Sequence, residues 1–255
     1  MADIALRFEE RIAFLVLDRE AARNALSPAL LSQLIAQCES LRARSDIAVV
    51  CLRGAGANFS AGADIKTFAE TARTGQAAAV AEIGRRAALA LAELPQISVA
   101  AIQGHCIGGG VVLAGACDIR LAAADAWFSI PELELGIPLA WGGMARLIAL
   151  LGETVAVELV LSCRRFEAAE ARAIGLVSGL LDGDFDTQLA QRLDALAARP
   201  LGVLRSTKQQ LLDIRAGTYD ARADADALVQ AIDDPESQRA AMAYMMRKSR
   251  RSSKP

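Results

Sequence analysis

Short apolar runs separated by longer amphipathic stretches dominate the first two thirds of the chain. Residues 12–18 (IAFLVLD) form a run of strand length, preceded by a weaker strand candidate at 4–8 (IALRF). Ser27 and Pro28 supply an N-cap and a first-turn proline, after which Leu30, Leu31, Leu34, Ile35, Cys38 and Leu41 recur at helical spacing. IAVVCLR at 47–53 predicts a second buried strand, which runs into the small-residue segment GAGANFSAGAD. Residues 76–93 are alanine-rich and predict a helix, and ISVAAIQ at 97–103 predicts a third strand, followed by GHCIGGGVVLAGACD. DIRLAA (118–123) and AWFSI (126–130) predict two more short strands around Asp125. From Gly142 onward helix follows helix, with one extended piece at 176–181. Strands joined through helices predict an α/β class, and the helical last third predicts an appendage.

Composition narrows the partners. A length of 255 residues fits one large domain, or one domain with a helical appendage. Hydrophobic residues make up 53% and charged residues 23%, as in a globular chain with a sizeable core. A net charge of -2 argues against a general nucleic-acid binder, so an anionic ligand has to meet local cations. The five cysteines form no CxxC pair and the chain has one histidine, so no metal site is expected. Scattered, apolar-flanked cysteines predict reduced thiols and a cytoplasmic protein. Asp3, Arg7, Glu9, Glu10 and Arg11 stand where a signal peptide needs an apolar run. The uncharged stretch from Leu94 to Cys117 is long enough for a membrane span of roughly 20 residues. Pro95, Gln96, Gln103, His105, Gly104 and Gly108 to Gly110 interrupt it, so it predicts a strand, a turn and a buried helix, with no membrane partner. The basic tail RKSRRSSKP reads as a mobile terminus.

Two segments carry candidate chemistry, because each follows a buried strand with small residues and then opens a helix. They are Asn58 to Lys66 (NFSAGADIK) and Gly104 to Gly110 (GHCIGGG). Small side chains let a ligand approach the backbone, and a helix N-terminus beyond the loop presents unpaired N–H groups. Two such loops side by side could aim two N–H donors at one oxygen, which is the arrangement of an oxyanion hole. Tight strand-to-helix turns without a ligand fit the same glycines.

The combination extends further. DREAARNALS (18–27), FSAGADIK (59–66), GHCIGGG with ACDIRLAA, PELELGIP (131–138), GGMARL (142–147) and AAEARAIGLV (168–177) follow one another in order. Together they resemble the crotonase (enoyl-CoA hydratase/isomerase) superfamily over roughly residues 11–246. The resemblance implies a crotonase-like spiral of ββα units, here assigned to residues 1–195. It also implies a helical oligomerisation region at 196–255 that packs homotrimers or hexamers. The ligand implied is an acyl-CoA thioester whose carbonyl oxygen accepts from the N–H groups of Ala63 and Gly109. Ala61, Asp64, Ile65 and Lys66 would line the CoA side, with Lys66 and Arg23 as phosphate candidates; a solvated surface charge is the alternative for both cations. Coenzyme A is then part of the substrate, and no separate cofactor is expected.

The resemblance also marks three acid positions. The two that hold water in hydratases are Val112 and Glu132 here, and the one used by some isomerases is Ala140. Valine cannot hold water, whereas one carboxylate can still carry a proton between two carbons through an enolate. Isomerase-type chemistry at Glu132 is therefore favoured. The alternatives are an enoyl-CoA hydratase of fatty-acid oxidation with a degenerate acid pair, and a non-catalytic acyl-CoA binder. Apolar neighbours Ile130 and Leu133 predict a raised Glu132 pKa. His105 and Cys106 read as packed residues, Glu134 as solvated, and Trp141 as a wall of the acyl pocket, with ordinary core packing as the alternative.

Overall fold

The computed structural model describes residues 3–252, without the side chains of Phe68, Ala69, Ala72 and residues 249–252. A six-stranded sheet runs in the order β1 (Ile4–Glu9), β2 (Ile12–Leu17), β3 (Val49–Gly54), β4 (Ile97–Ile102), β6 (Ile119–Ala123) and β9 (Gly179–Leu181). Only the first pair is antiparallel; the rest pair in parallel. A second sheet orders β5 (His105–Ile107), β7 (Trp127–Ser129) and β8 (Phe166–Glu167).

The apolar runs of the sequence are continuous because this sheet is covered on both faces. Leu15, Leu17, Val50, Leu52, Ala100 and Ile102 point one way into the larger core. There they meet α1 (Pro28–Arg42), α3 (Ala77–Ala92) and α4 (Gly109–Ala116), with α5 (Gly143–Leu151), α6 (Glu153–Ser162) and α7 (Ala168–Ala173) beyond. Ile12, Val49, Cys51, Val99, Ala101 and Leu121 alternate with them and point the other way, onto Leu189, Leu193 and Ala197 of α8 (Phe185–Ala197). Ser27 caps α1 as its sequence predicts, accepting from the Leu30 N–H at 3.1 Å.

The structure departs from the sequence reading in four places. His105 to Ile107 are a strand, not part of a loop, because Cys106 bridges Ser60 on one side and pairs with Phe128 on the other. The extended piece at 176–181 shortens to Gly179–Leu181. Position 195 falls inside α8, which packs on the sheet, and the chain turns instead at Pro200 before α9 (Leu201–Ala216). The basic tail continues α11 (Pro235–Ser252), so Arg247 and Lys248 are helical; Lys254 lies outside the described residues.

A buried ion pair on Asp118 helps dock the C-terminal helices, alongside the pair between Arg11 and Glu236 of α11. Lys208 of α9 is buried, and its Nζ donates to Asp118 Oδ2 at 2.6 Å. The same oxygen accepts from Ser98 N and Oγ, while Oδ1 accepts from Arg215. A buried charge needs such pairing to be tolerated. Among the described residues no helix is long and apolar enough to cross a membrane, and the stretch 94–117 is divided between β4, β5 and the eight-residue α4.

Candidate active site

Loop placement begins with Asn24, which is fully buried at φ 56°. Its Nδ2 donates to the carbonyls of Ala55 (2.9 Å) and Asn58 (2.8 Å), and its Oδ1 accepts from Arg19 N. Ser60 Oγ donates to the Asn24 carbonyl and accepts from Gly62 N. These bonds fix the segment 58–63 against the turn at 23–24. The second loop then lies beside the first, since Ser60 N donates to His105 O and Ile107 N donates to Ser60 O. A Cβ on Gly62 would stand 2.7 Å from the Ile107 carbonyl oxygen and 3.7 Å from Gly109 N, so only glycine permits this approach.

Ala63 and Gly109 therefore stand side by side on one cavity. Their neighbours' donors are used: Gly62 N by Ser60 Oγ, Asp64 N by Leu26 O, and Gly108 N by Ser129 O. Among the described residues the Ala63 and Gly109 N–H groups have no acceptor. Gly109 opens α4, where the first N–H groups have no intrahelical partner and the positive end of the helix dipole faces outward. Two backbone residues whose N–H groups lack an acceptor among the described residues thus border one cavity.

Glu132 follows β7 in the turn Pro131–Gly136 and returns its carboxylate to the same place. A Cβ on Gly108 would collide with Glu132 Oε1 and lie 3.1 Å from the carboxyl carbon. Glu132 Oε2 is buried without a hydrogen-bond partner. Loss of solvation raises the Glu132 pKa above the ordinary glutamate range, opposed by a bond from its own backbone N–H.

Around these groups the cavity is apolar. Leu26, Val80, Ala81, Val112, Leu139 and Trp141 are among its walls, and Ala140 borders it too. All three acid positions marked in the sequence thus face one space, and only Glu132 brings a carboxylate. Asp64 also borders the cavity but is engaged elsewhere. Its Oδ1 caps α2 (Ile65–Thr74) through Lys66 N and Thr67 N, and its Oδ2 holds Arg19 at 3.0 Å. Asp64 is thus tied down in capping and ion pairing.

The other sequence candidates lie at the rim. Ala61 donates its N–H to the Arg23 carbonyl. Arg23 and Lys66 are exposed side chains without an ion pair among the described residues, and Ile65 is 63% exposed. His105 lies outside the cavity: its ring packs 5.6 Å from Trp127, and burial, then Arg23, lower its pKa. Cys106 is fully buried and burial pushes its thiol up. Glu134 is exposed, as its sequence position predicts. Among the described residues no cluster of His, Cys, Asp and Glu could hold a metal ion.

The sequence reading did not mark Asn24, Gly84 or the α2 and α3 wall residues Thr67, Thr71, Val80 and Ala81. The left-handed backbone at Asn24 was detectable only as a weak asparagine preference. The α3 wall was concealed in an alanine-rich helix with no distinguishing pattern.

Comparisons with known proteins give the family. The sequence pattern described as enoyl-CoA hydratase/isomerase matches residues 7–250. The chain is similar to a 2,3-dehydroadipyl-CoA hydratase of Escherichia coli, 35% identical over 83% of this chain and 82% of that one. It is also similar to a peroxisomal Delta(3,5)-Delta(2,4)-dienoyl-CoA isomerase of Arabidopsis thaliana, 31% identical over 81% and 79% of the two chains. A crystal structure of an enoyl-CoA hydratase/carnithine racemase from Magnetospirillum magneticum superimposes with a TM-score of 0.88 at 32% identity, covering 97% of this chain and 94% of that one. The chain belongs to the enoyl-CoA hydratase/isomerase family of the crotonase superfamily, and is a lyase or isomerase of that family.

Proposed function

We propose that the protein moves a proton between two carbons of an acyl-CoA thioester, the chemistry of an enoyl-CoA isomerase, with Glu132 as the only proton carrier. The observation that carries this reading is the cavity's single uncommitted carboxylate, buried beside two free backbone donors. The thioester oxygen would accept from Ala63 N and Gly109 N, so charge developing on it during enolate formation meets two preorganised dipoles. Glu132 would take a proton from C2 of a 3-enoyl thioester and return it at C4. The double bond shifts by one position, and no oxidant, reductant or resident cofactor is consumed. A desolvated carboxylate has its pKa moved toward the working pH, which suits a base that must also release its proton.

Coenzyme A enters as part of the substrate. Arg23 and Lys66 are proposed to meet its phosphates, supported by their exposure beside the first loop and their lack of carboxylate partners. Hydration is the second reading, favoured by the Escherichia coli relative's name. Against it stands Val112, which removes the second carboxylate that would help orient water.

Assembly is proposed to be a homotrimer or a pair of trimers. Leu228, Val229 and Ile232 of α10 (Ala223–Asp233), with Met242, Tyr244 and Met245 of α11, are 57–68% exposed and support a covered face. Incubating the protein with a panel of 2-enoyl- and 3-enoyl-CoAs tests the activity. Conversion of 3-enoyl to 2-enoyl product is expected, and formation of 3-hydroxyacyl product alone would establish hydration instead.

A further inference from the structure

The residue with the least ordinary backbone in the cavity wall is Trp141. It sits at φ 59° and is followed by Gly142 at φ 74°, so two consecutive left-handed residues turn the chain there. That region is unfavourable for a bulky side chain, and it persists where surrounding packing imposes it. The packing is visible on both sides of the ring. A Cβ on Gly84, in the middle of α3, would overlap the five-membered part of the indole, including Cε2 and Nε1. A Cβ on Gly109 would overlap the benzo edge, lying 2.8 Å from Cη2 and 3.2 Å from Cε3. The indole thus fits between α3 and α4 because both helices lack a side chain where it lies. A mid-helix glycine weakens an alanine-rich helix such as α3, so its presence beneath the ring has a packing reason.

The placement has a consequence for any ligand. The ring edge occupies the space where a Gly109 side chain would stand, both residues line the cavity, and the N–H of Gly109 has no acceptor among the described residues. An acyl chain leaving an oxygen held at that N–H meets the indole within its first few carbons. The neighbouring walls are alanine, valine and leucine, namely Val80, Ala81, Val112 and Leu139, so the indole is the bulkiest group there.

We propose that Trp141, seated on Gly84 and Gly109, is the specificity-determining residue that closes the acyl pocket and restricts the enzyme to short acyl groups. This rests on the reading of the cavity as the acyl-CoA site. Removing the ring joins its volume to the cavity, and each methylene newly buried there adds about fourfold to affinity or kcat/KM.

The test uses the full-length protein and saturated acyl-CoAs of four to ten acyl carbons, with affinity measured by calorimetry and kcat/KM measured on the matching enoyl-CoAs. Trp141→Ala should raise the ratio of ten-carbon to four-carbon values at least about tenfold, and Trp141→Phe should fall between. Gly84→Ala should weaken the longer chains in the parent, by pushing the ring further into the pocket. In the Trp141→Ala background it should change the ratio little; a structural role alone would not couple the two sites in a chain-length-dependent way. If the parent binds four-carbon acyl-CoA and the ratio is unchanged in both Trp141 variants, the wall assignment is overturned while the acyl-CoA site stands. If Trp141→Ala binds long chains that the parent does not, the assignment is supported whatever the rate of turnover. If neither protein binds any acyl-CoA, the cavity is not the acyl site and both readings fall.

Discussion

Replacing Gly108 by alanine tests whether the position of Glu132 is set by the absence of a side chain beneath it. Gly108 has φ 49° and ψ -116°, a combination that L side chains rarely adopt. Its added Cβ would overlap Glu132 Oε1, with the carboxyl carbon at 3.1 Å and Oε2 at 3.3 Å, all inside ordinary van der Waals contact. Relieving that overlap requires the carboxylate to retreat by roughly 1 Å, and a displacement of that size costs on the order of 10²-fold in rate. Backbone strain adds a stability cost of about 1–3 kcal/mol, read as a Tm loss of roughly 2–12 °C for a chain of this size. The assay is steady-state kcat/KM on the best enoyl-CoA of the panel, with affinity for the saturated acyl-CoA measured in parallel. A drop near 10²-fold in kcat/KM with affinity changed only a few-fold is the expected pattern. A Gly108→Ala protein that folds, binds and retains activity within about threefold would refute the reasoning, because the base would not need its present position.

Asn24→Ala leaves two carbonyls and one N–H of the loop scaffold without their partners, so a stability loss of about 2–4 kcal/mol is expected by denaturant melt; a loss below about 0.5 kcal/mol would show that water replaces the amide. The pH profile provides another test. Burial raises the Glu132 pKa in the folded protein, so the group's favourable contribution to stability is fully present below the ordinary glutamate value of about 4.3 and is lost as pH rises through its raised value. The active form is the ionised one, so kcat/KM should climb with pH along a limb above about 4.3, and this limb should vanish in a Glu132→Gln protein; a limb at the unperturbed value would mean the carboxylate is solvated in the working enzyme.

The strands and the two loops were legible because burial on both faces of the sheet gives unbroken apolar runs, and because strand-to-helix turns need small residues. Ala63, Gly109 and Glu132 are pointed to by the family resemblance those motifs carry, and the fold places all three on one cavity. What the sequence could not reveal depends on contacts between distant segments. Gly84 lies 25 residues before Gly109, and only the fold shows that one indole rests on both. His105 to Ile107 look like loop because they are flanked by glycines, yet neighbouring strands recruit them into a ladder. The resemblance puts Asp64 on the CoA side, and only the fold shows that the free N–H groups of α2 and the Arg19 guanidinium hold both its oxygens. Helix α8 spans position 195, and only the fold shows that its Leu189 and Leu193 cover the sheet.

The central claim is that one carboxylate carries the proton, and the most direct measurement is the rate of 3-enoyl-CoA to 2-enoyl-CoA conversion by the parent and by Glu132→Gln. Glutamine keeps the size and the hydrogen-bonding capacity of the side chain but cannot accept the proton. A general base contributes about 10²–10⁴-fold, so kcat should fall by that factor while affinity for a saturated acyl-CoA stays nearly the same. A Glu132→Gln protein that converts 3-enoyl-CoA as fast as the parent would contradict the account, since the proton would then be carried by some other group.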